Sequence, residues 1–291
     1  MLTLNTIKDM IQYINKEKRS QRTIGFVPTM GYLHSGHRAL IDQSKKDNDI
    51  TIVSIFVNPL QFNQSSDLEQ YPRDFERDAA ILKKDGVDVV FHPTADEMYP
   101  NQPSIEMNVT KRTDVLCGTS RPGHFEGVVM VLTKLFNIVN PDKVYFGSKD
   151  AQQVAVVDAL IKDLNFNIKL IPVSTIREAD GLALSSRNVH LNPYERDEAA
   201  HIYQSLLKGQ RYIMDNADWK RNEVINITKS YLSEHTTGKI DYVDCLSFPN
   251  LNKDIESKHD IIIAVAVYYE KARLIDNLIL DSSGAIKYGS E

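Results

Sequence analysis

Apolar and polar positions follow two regimes along the chain. Up to about residue 176, short apolar runs alternate with stretches of helical spacing. Ile24-Gly-Phe-Val27 is the first such run, and Ile50-Thr-Ile-Val-Ser-Ile-Phe-Val57 is nearly all apolar and β-branched. That is the pattern of a parallel strand covered on both faces. Residues 87–91, 143–146 and 168–173 predict further strands. Helices are predicted over 6–16, with Asn5 or Thr6 as cap, then over 35–46, 74–84, 128–139 and 151–164. Residues 58–73 and 92–126 read as irregular. Strand and helix in alternation call for an open parallel α/β sheet with right-handed crossovers.

The second regime begins after residue 176. A polar loop over 177–192 leads into two helices, 194–214 and 218–233. Three strands follow, 239–246, 261–269 and 273–280, the last two close enough to form a hairpin. This is an α+β module. The expected domains are therefore 1–176 and 177–291.

Composition narrows the class. The chain has 291 residues, 42% hydrophobic and 25% charged, which excludes disorder and low complexity. Net charge is −5, so no global basic field attracts nucleic acid. The longest apolar run, Ile261-Ile-Ile-Ala-Val-Ala-Val-Tyr-Tyr269, is too short to span a bilayer. The N-terminal residues show no signal-peptide pattern, and the expected location is cytoplasmic. Cys117 and Cys245 fit no metal-ligand spacing and read as reduced thiols.

The chemistry gathers at the strand ends. Pro28-Thr-Met-Gly-Tyr-Leu-His34-Ser-Gly36-His37 joins a strand to a helix through a glycine-bearing turn, the layout that brings phosphates to a helix N-terminus. Two surface histidines are the bland alternative, and the strand–turn–helix context favours function. Asn58 and Gln61 lie just past a strand's carboxyl end, where open α/β sheets bind ligands. Lys149, in Gly147-Ser-Lys-Asp150-Ala-Gln-Gln153, is either a phosphate contact or a solvated lysine, and Asp150 is a candidate cap. The loop holding Ser185-Ser186-Arg187-Asn188 is either a nucleotide loop or a polar linker. Arg121-Pro-Gly-His124-Phe-Glu-Gly127 could hold an anion or make a turn.

In order and number, these motifs resemble the pantothenate synthetase family, densely over residues 20–190 and loosely beyond. The resemblance implies a Rossmann-like N-terminal domain of the nucleotidyltransferase superfamily and a smaller C-terminal lid domain, in a homodimer. It implies condensation of D-pantoate with β-alanine, with ATP cleaved to AMP and pyrophosphate through a pantoyl adenylate. By position, His34 and His37 would contact ATP phosphates, and Lys149, Ser185, Ser186 and Arg187 would grip them. Pro28, Thr29 and Met30 would shape the ATP and pantoate pocket. Gly147, Asp150, Ile176 and Leu184 would lie at the ribose and adenine. Gln61 and Gln153 would bind pantoate, and Asn58 would help position the reacting groups. Asp78 would approach a magnesium ion held mainly by phosphate oxygens. Leu184 departs from the family's usual Met before Ser-Ser-Arg, a change that conserves volume.

Two other readings share part of this pattern. A nucleotidyltransferase would keep the first motif but leaves Asn58, Gln61 and Gln153 unexplained. A non-enzymatic nucleotide sensor would have no need of a pantoate pocket. An RNA-charging enzyme is disfavoured by the acidic charge.

Overall fold

The computed structural model describes residues 1–63, 65–256 and 258–288, with only the backbone of 65–67. The chain divides into two compact units. One comprises Met1–Phe146 and Val156–Val173, the other Gly147–Ala155 and the chain from Ser174 onward. The second unit thus takes in a segment, 147–155, that lies within the expected first domain.

The first unit is built on strands β1 (Leu2–Leu4), β2 (Ile24–Thr29), β3 (Ile50–Ile55), β4 (Val89–Phe91), β5 (Lys143–Gly147) and β6 (Lys169–Val173), in the order β1-β4-β3-β2-β5-β6. The pairings linking β1 through β5 are parallel. β3 is buried at every position, which is why its sequence shows no alternation. Helices α1 (Ile7–Arg19), α2 (Ser35–Asp47), α3 (Ser65–Gln70), α4 (Phe75–Lys84), α5 (Ala95–Met98), α6 (Leu116–Ser120), α7 (His124–Val139) and α8 (Ala151–Asp163) connect the strands. Thr6 caps α1 by accepting from the Asp9 N–H. β1, α3, α5 and α6 fall where the sequence predicts no regular structure.

Chain order reverses between β2 and β5. Successive strands step outward from β2 through β3 to β4 on one side, and from β5 to β6 on the other. Such a reversal is where open α/β sheets bind ligands, at the carboxyl ends of the strands. The Pro28–His37 turn leaves the sheet there, at the end of β2.

The second unit contains α9 (Pro193–Asp215), α10 (Arg221–His235) and the antiparallel strands β7 (Lys239–Phe248), β8 (Asp260–Tyr268) and β9 (Arg273–Leu280), in the order β7-β8-β9. α9 opens with a capping box between Asn192 and Glu195 and with proline at its first turn. Ala199, Ile202 and Leu206 of α9 share a core with Val224 and Leu232 of α10 and with Ile263 and Val265 of β8. Among the described residues, no helix is long and apolar enough to cross a membrane.

Candidate active site

In the first unit, the turn after β2 is held from both ends. The Thr29 hydroxyl donates to the Ser54 carbonyl at 2.7 Å and accepts the Gly31 N–H at 3.1 Å. Thr29 is buried, and its hydroxyl links the turn to β3. Asp78, on the first turn of α4, accepts the N–H groups of Tyr32 at 2.6 Å and Leu33 at 2.8 Å. Arg77 donates to the Leu33 carbonyl at 2.9 Å. Asp78 is 1% exposed and each of its oxygens is engaged by backbone. In this arrangement the carboxylate braces the turn. Among the described residues, no three His, Cys, Asp or Glu side chains come together as metal ligands.

His34 is the N-cap of α2, and His37 stands at the third helical position. His34 Nδ1 accepts the Gly36 N–H at 3.1 Å, and His37 Nδ1 accepts the His34 N–H at 3.3 Å. A ring nitrogen that accepts carries no proton, so each neutral imidazole has its proton on Nε2. The rings lie with centroids 4.1 Å apart. Two N–H donors thereby stand at a helix N-terminus, the end that favours anions. A β-carbon on Gly36 would come within 2.8 Å of the His34 ring, so the cap geometry needs glycine there.

Met30, Asn58 and Gln61 come together in the same unit. Gln61 Nε2 donates to the Met30 sulfur at 3.1 Å, and Asn58 Nδ2 donates to Gln61 Oε1 at 3.1 Å and to the Gly127 carbonyl at 3.0 Å. Asn58 Oδ1 accepts from the Tyr99 hydroxyl at 3.1 Å. Burial pushes the Tyr99 phenol up to about 12, so it remains a donor through neutral pH.

The Arg121–Gly127 motif supports this cluster. His124 Nδ1–H donates to the Gln61 carbonyl at 2.8 Å, and Arg121 meets His124 Nε2 at 3.1 Å. A β-carbon on Gly127 would sit 2.3 Å from the Leu60 carbonyl oxygen, so α7 reaches the turn at Pro59–Gln61 only because that residue is glycine. Beyond Met30, a cavity of about 320 Å³ opens past the ends of β2, β3 and β4, lined among others by Tyr32, Phe56, Arg73 and His92. His92 stacks on Phe75 at 4.0 Å, and burial holds its imidazole below the ordinary value.

In the second unit, Gly147 caps a 3-10 turn, Ser148–Asp150, that runs straight into α8. Asp150 ends that turn, and Gln153 lies on the first turn of α8. Lys149 and Ser185 line one small crevice together with Asp276. Residues 176–184 form a tight hairpin-like turn rather than an open loop. The Leu184 N–H donates to the Ile176 carbonyl at 2.9 Å, and Arg177 bridges to Ala183. The two residues expected at the adenine therefore stand opposite each other. Ser185 caps a second 3-10 turn, Ser186–His190, by accepting the Arg187 N–H at 3.2 Å. Arg187 is exposed and Ser186 half-buried.

Sequence reasoning passes over Asp276 and Asn277. Both are buried polar residues in the middle of β9, whose sequence is otherwise mainly apolar. Asp276 receives the Arg177 guanidinium at 2.6 and 3.0 Å, and Arg177 also lies over the Tyr203 ring. The polar interruption of an apolar strand is the available signal.

Comparison with known proteins shows the family. The family model for pantoate–β-alanine ligase matches residues 2–279. The pantothenate synthetase of Geobacillus thermodenitrificans (strain NG80-2) is 53% identical over 282 residues, 97% of each chain. The crystal structure of pantothenate synthetase from Thermus thermophilus superposes with a TM-score of 0.86 at 39% identity, covering 96% of this chain and 99% of that one. A Francisella tularensis pantoate–β-alanine ligase, complexed with β,γ-ATP and β-alanine, gives a TM-score of 0.78 at 36% identity, covering 96% and 97%. The chain belongs to the pantoate–β-alanine ligase family.

Proposed function

We propose that this chain condenses D-pantoate with β-alanine in two steps driven by ATP. In the first, the pantoate carboxylate attacks the α-phosphorus of ATP, pyrophosphate leaves, and a pantoyl adenylate stays bound. In the second, the β-alanine amine attacks the acyl carbon and AMP leaves.

The carboxylate is already an anion, so the first step calls for no general base. It calls for two negative groups to be brought together and for charge on the departing pyrophosphate to be offset. The observation that carries the reading is the His34–His37 pair, whose Nδ1 atoms are both used as caps. In this reading the Nε2–H groups donate to phosphate oxygens. Lys149 and Arg187 supply positive charge, and Ser185 and Ser186 supply hydroxyl donors. Gly147, Asp150, Ile176 and Leu184 border the ribose and adenine, with Pro28 and Met30 shaping the pocket. Gln61 and Gln153 hold pantoate's hydroxyl and carboxylate groups, with Asn58 fixing Gln61.

Magnesium enters as part of the substrate, on the phosphates of ATP. Asp78 braces the turn in this reading and is not a ligand. The chain works as a homodimer, as the family resemblance implies. Cys117 and Cys245 are both thiols, which suits a reducing cytoplasm.

The experiment is isotope exchange between pyrophosphate and ATP with and without pantoate, followed by measurement of AMP release on adding β-alanine. Exchange only with pantoate, and AMP only with β-alanine, is the expected outcome. A stable dinucleotide product would instead mark a nucleotidyltransferase.

A further inference from the structure

β9 is an edge strand of its sheet, and edge strands leave backbone groups that must be covered. Here a side chain of the strand also bonds a neighbouring turn. The Asn277 side-chain amide, in the second unit, donates to two successive carbonyls, Ser148 at 3.0 Å and Lys149 at 2.8 Å. Asn277 is 6% exposed. Its own backbone N–H is taken by the Asp276 carboxylate at 2.8 Å. The same carboxylate anchors Arg177, which also donates to the Gly181 carbonyl at 3.0 Å. One polar dipeptide in an apolar strand therefore ties down both the turn that carries Lys149 and the hairpin that leads to Ser185.

A lysine side chain is long and flexible, and its aim depends on the backbone that bears it. The turn at Ser148–Asp150 has no side-chain cap hydrogen bond at Gly147. Two of its carbonyls are held from outside the turn, by the Asn277 amide. We propose that Asn277 is a positioning residue for Lys149, acting through the peptide carbonyls of residues 148 and 149. This rests on Lys149 being the phosphate contact of the reaction proposed above.

The test is a double-mutant cycle read by single-turnover, pantoate-dependent pyrophosphate formation. Asn277→Ala removes both donors without adding charge, and it should slow the step about 10-fold, a misplacement effect rather than loss of a contact. Lys149→Ala should slow it far more. If Asn277 acts through Lys149, adding Asn277→Ala to Lys149→Ala costs little further, because the two are coupled. A second variant, Asn277→Asp, keeps the shape but turns a carboxylate toward two carbonyl oxygens. Its defect should shrink as pH falls and the carboxyl regains a proton to donate, a profile that a general loss of packing does not produce. If either variant unfolds, the other is read.

Independent, multiplying effects in the cycle, or an Asn277→Ala rate equal to the parent's, would overturn the proposal while leaving the reaction intact. Absence of pantoate-dependent exchange in the parent protein would instead overturn the reaction, and this proposal with it.

Discussion

His34 and His37 face each other across 4.1 Å with both Nδ1 atoms turned to backbone N–H groups. The helix cap and the donors proposed for phosphate are thus different nitrogens of the same rings. The two roles can be separated by substitution. His34→Asn keeps a side-chain acceptor for the cap but loses the Nε2–H. It should melt close to the parent protein and form adenylate ~10²-fold more slowly, taking loss of one preorganised donor as the guide. His34→Ala should in addition lose ~1 kcal/mol of cap stability. Thermal melts and single-turnover rates on the two variants check this; equal rates in His34→Asn and the parent would remove His34 from the chemistry.

Asp78 shows the converse, a carboxylate whose two oxygens are both taken by backbone. It holds the N–H groups of Tyr32 and Leu33 with separate oxygens. Asp78→Asn keeps only one acceptor oxygen and turns an amide donor toward a backbone N–H, so it should cost ~1–3 kcal/mol of stability. The magnesium concentration for half-maximal activity should stay where it is in the parent. An unchanged melting temperature with a raised magnesium requirement would return Asp78 to the metal.

Gly127 sets how closely α7 approaches the turn that presents Gln61. Gly127→Ala places a methyl where the Leu60 carbonyl stands, and overpacking of this kind costs ~1–3 kcal/mol. The movement falls on Asn58 and Gln61, so KM for pantoate should rise several-fold while KM for ATP changes less. Steady-state kinetics with each substrate varied in turn would show it; equal rises in both constants would mean that the displacement is not local.

His92 gives the fold a pH dependence of known sign. Burial lowers its folded-state pKa below the ordinary 6.5, so the unfolded chain binds the proton more tightly. Its contribution to stability is fully present above the unfolded value and is lost as pH falls through the folded one. His92→Phe preserves the stack on Phe75 and removes the titration. Melting temperature plotted against pH, from neutral downward, should fall less steeply for this variant than for the parent. Parallel curves would assign the acid sensitivity to other groups.

Much of this is legible in sequence. The buried β-branched run at 50–57 and the strand–turn–helix around Pro28–His37 carry their signals locally, in residue type and spacing. β1 and α5 do not show because segments of three or four residues have too little length to display a period. The boundary between the two units escapes at 147–155 because α8 is one continuous helix whose first residues belong to a different unit from its last. Only the family resemblance places Asp78 near a metal, and nothing local in the sequence shows its backbone partners. Tyr32 and Leu33 reach it only once α4 has packed beside the turn. Arg121 has no assignable role in sequence for the same reason: its contact, His124, in turn holds the Gln61 carbonyl from a distant part of the chain.

The central claim is that the chain activates pantoate as an adenylate, with Lys149 offsetting phosphate charge. Pantoate-dependent exchange of pyrophosphate into ATP tests it most directly. The account predicts exchange in the parent protein only when pantoate is present, and a rate ~10²–10³-fold lower in Lys149→Ala. Exchange without pantoate, or a Lys149→Ala rate within a few-fold of the parent, would contradict it.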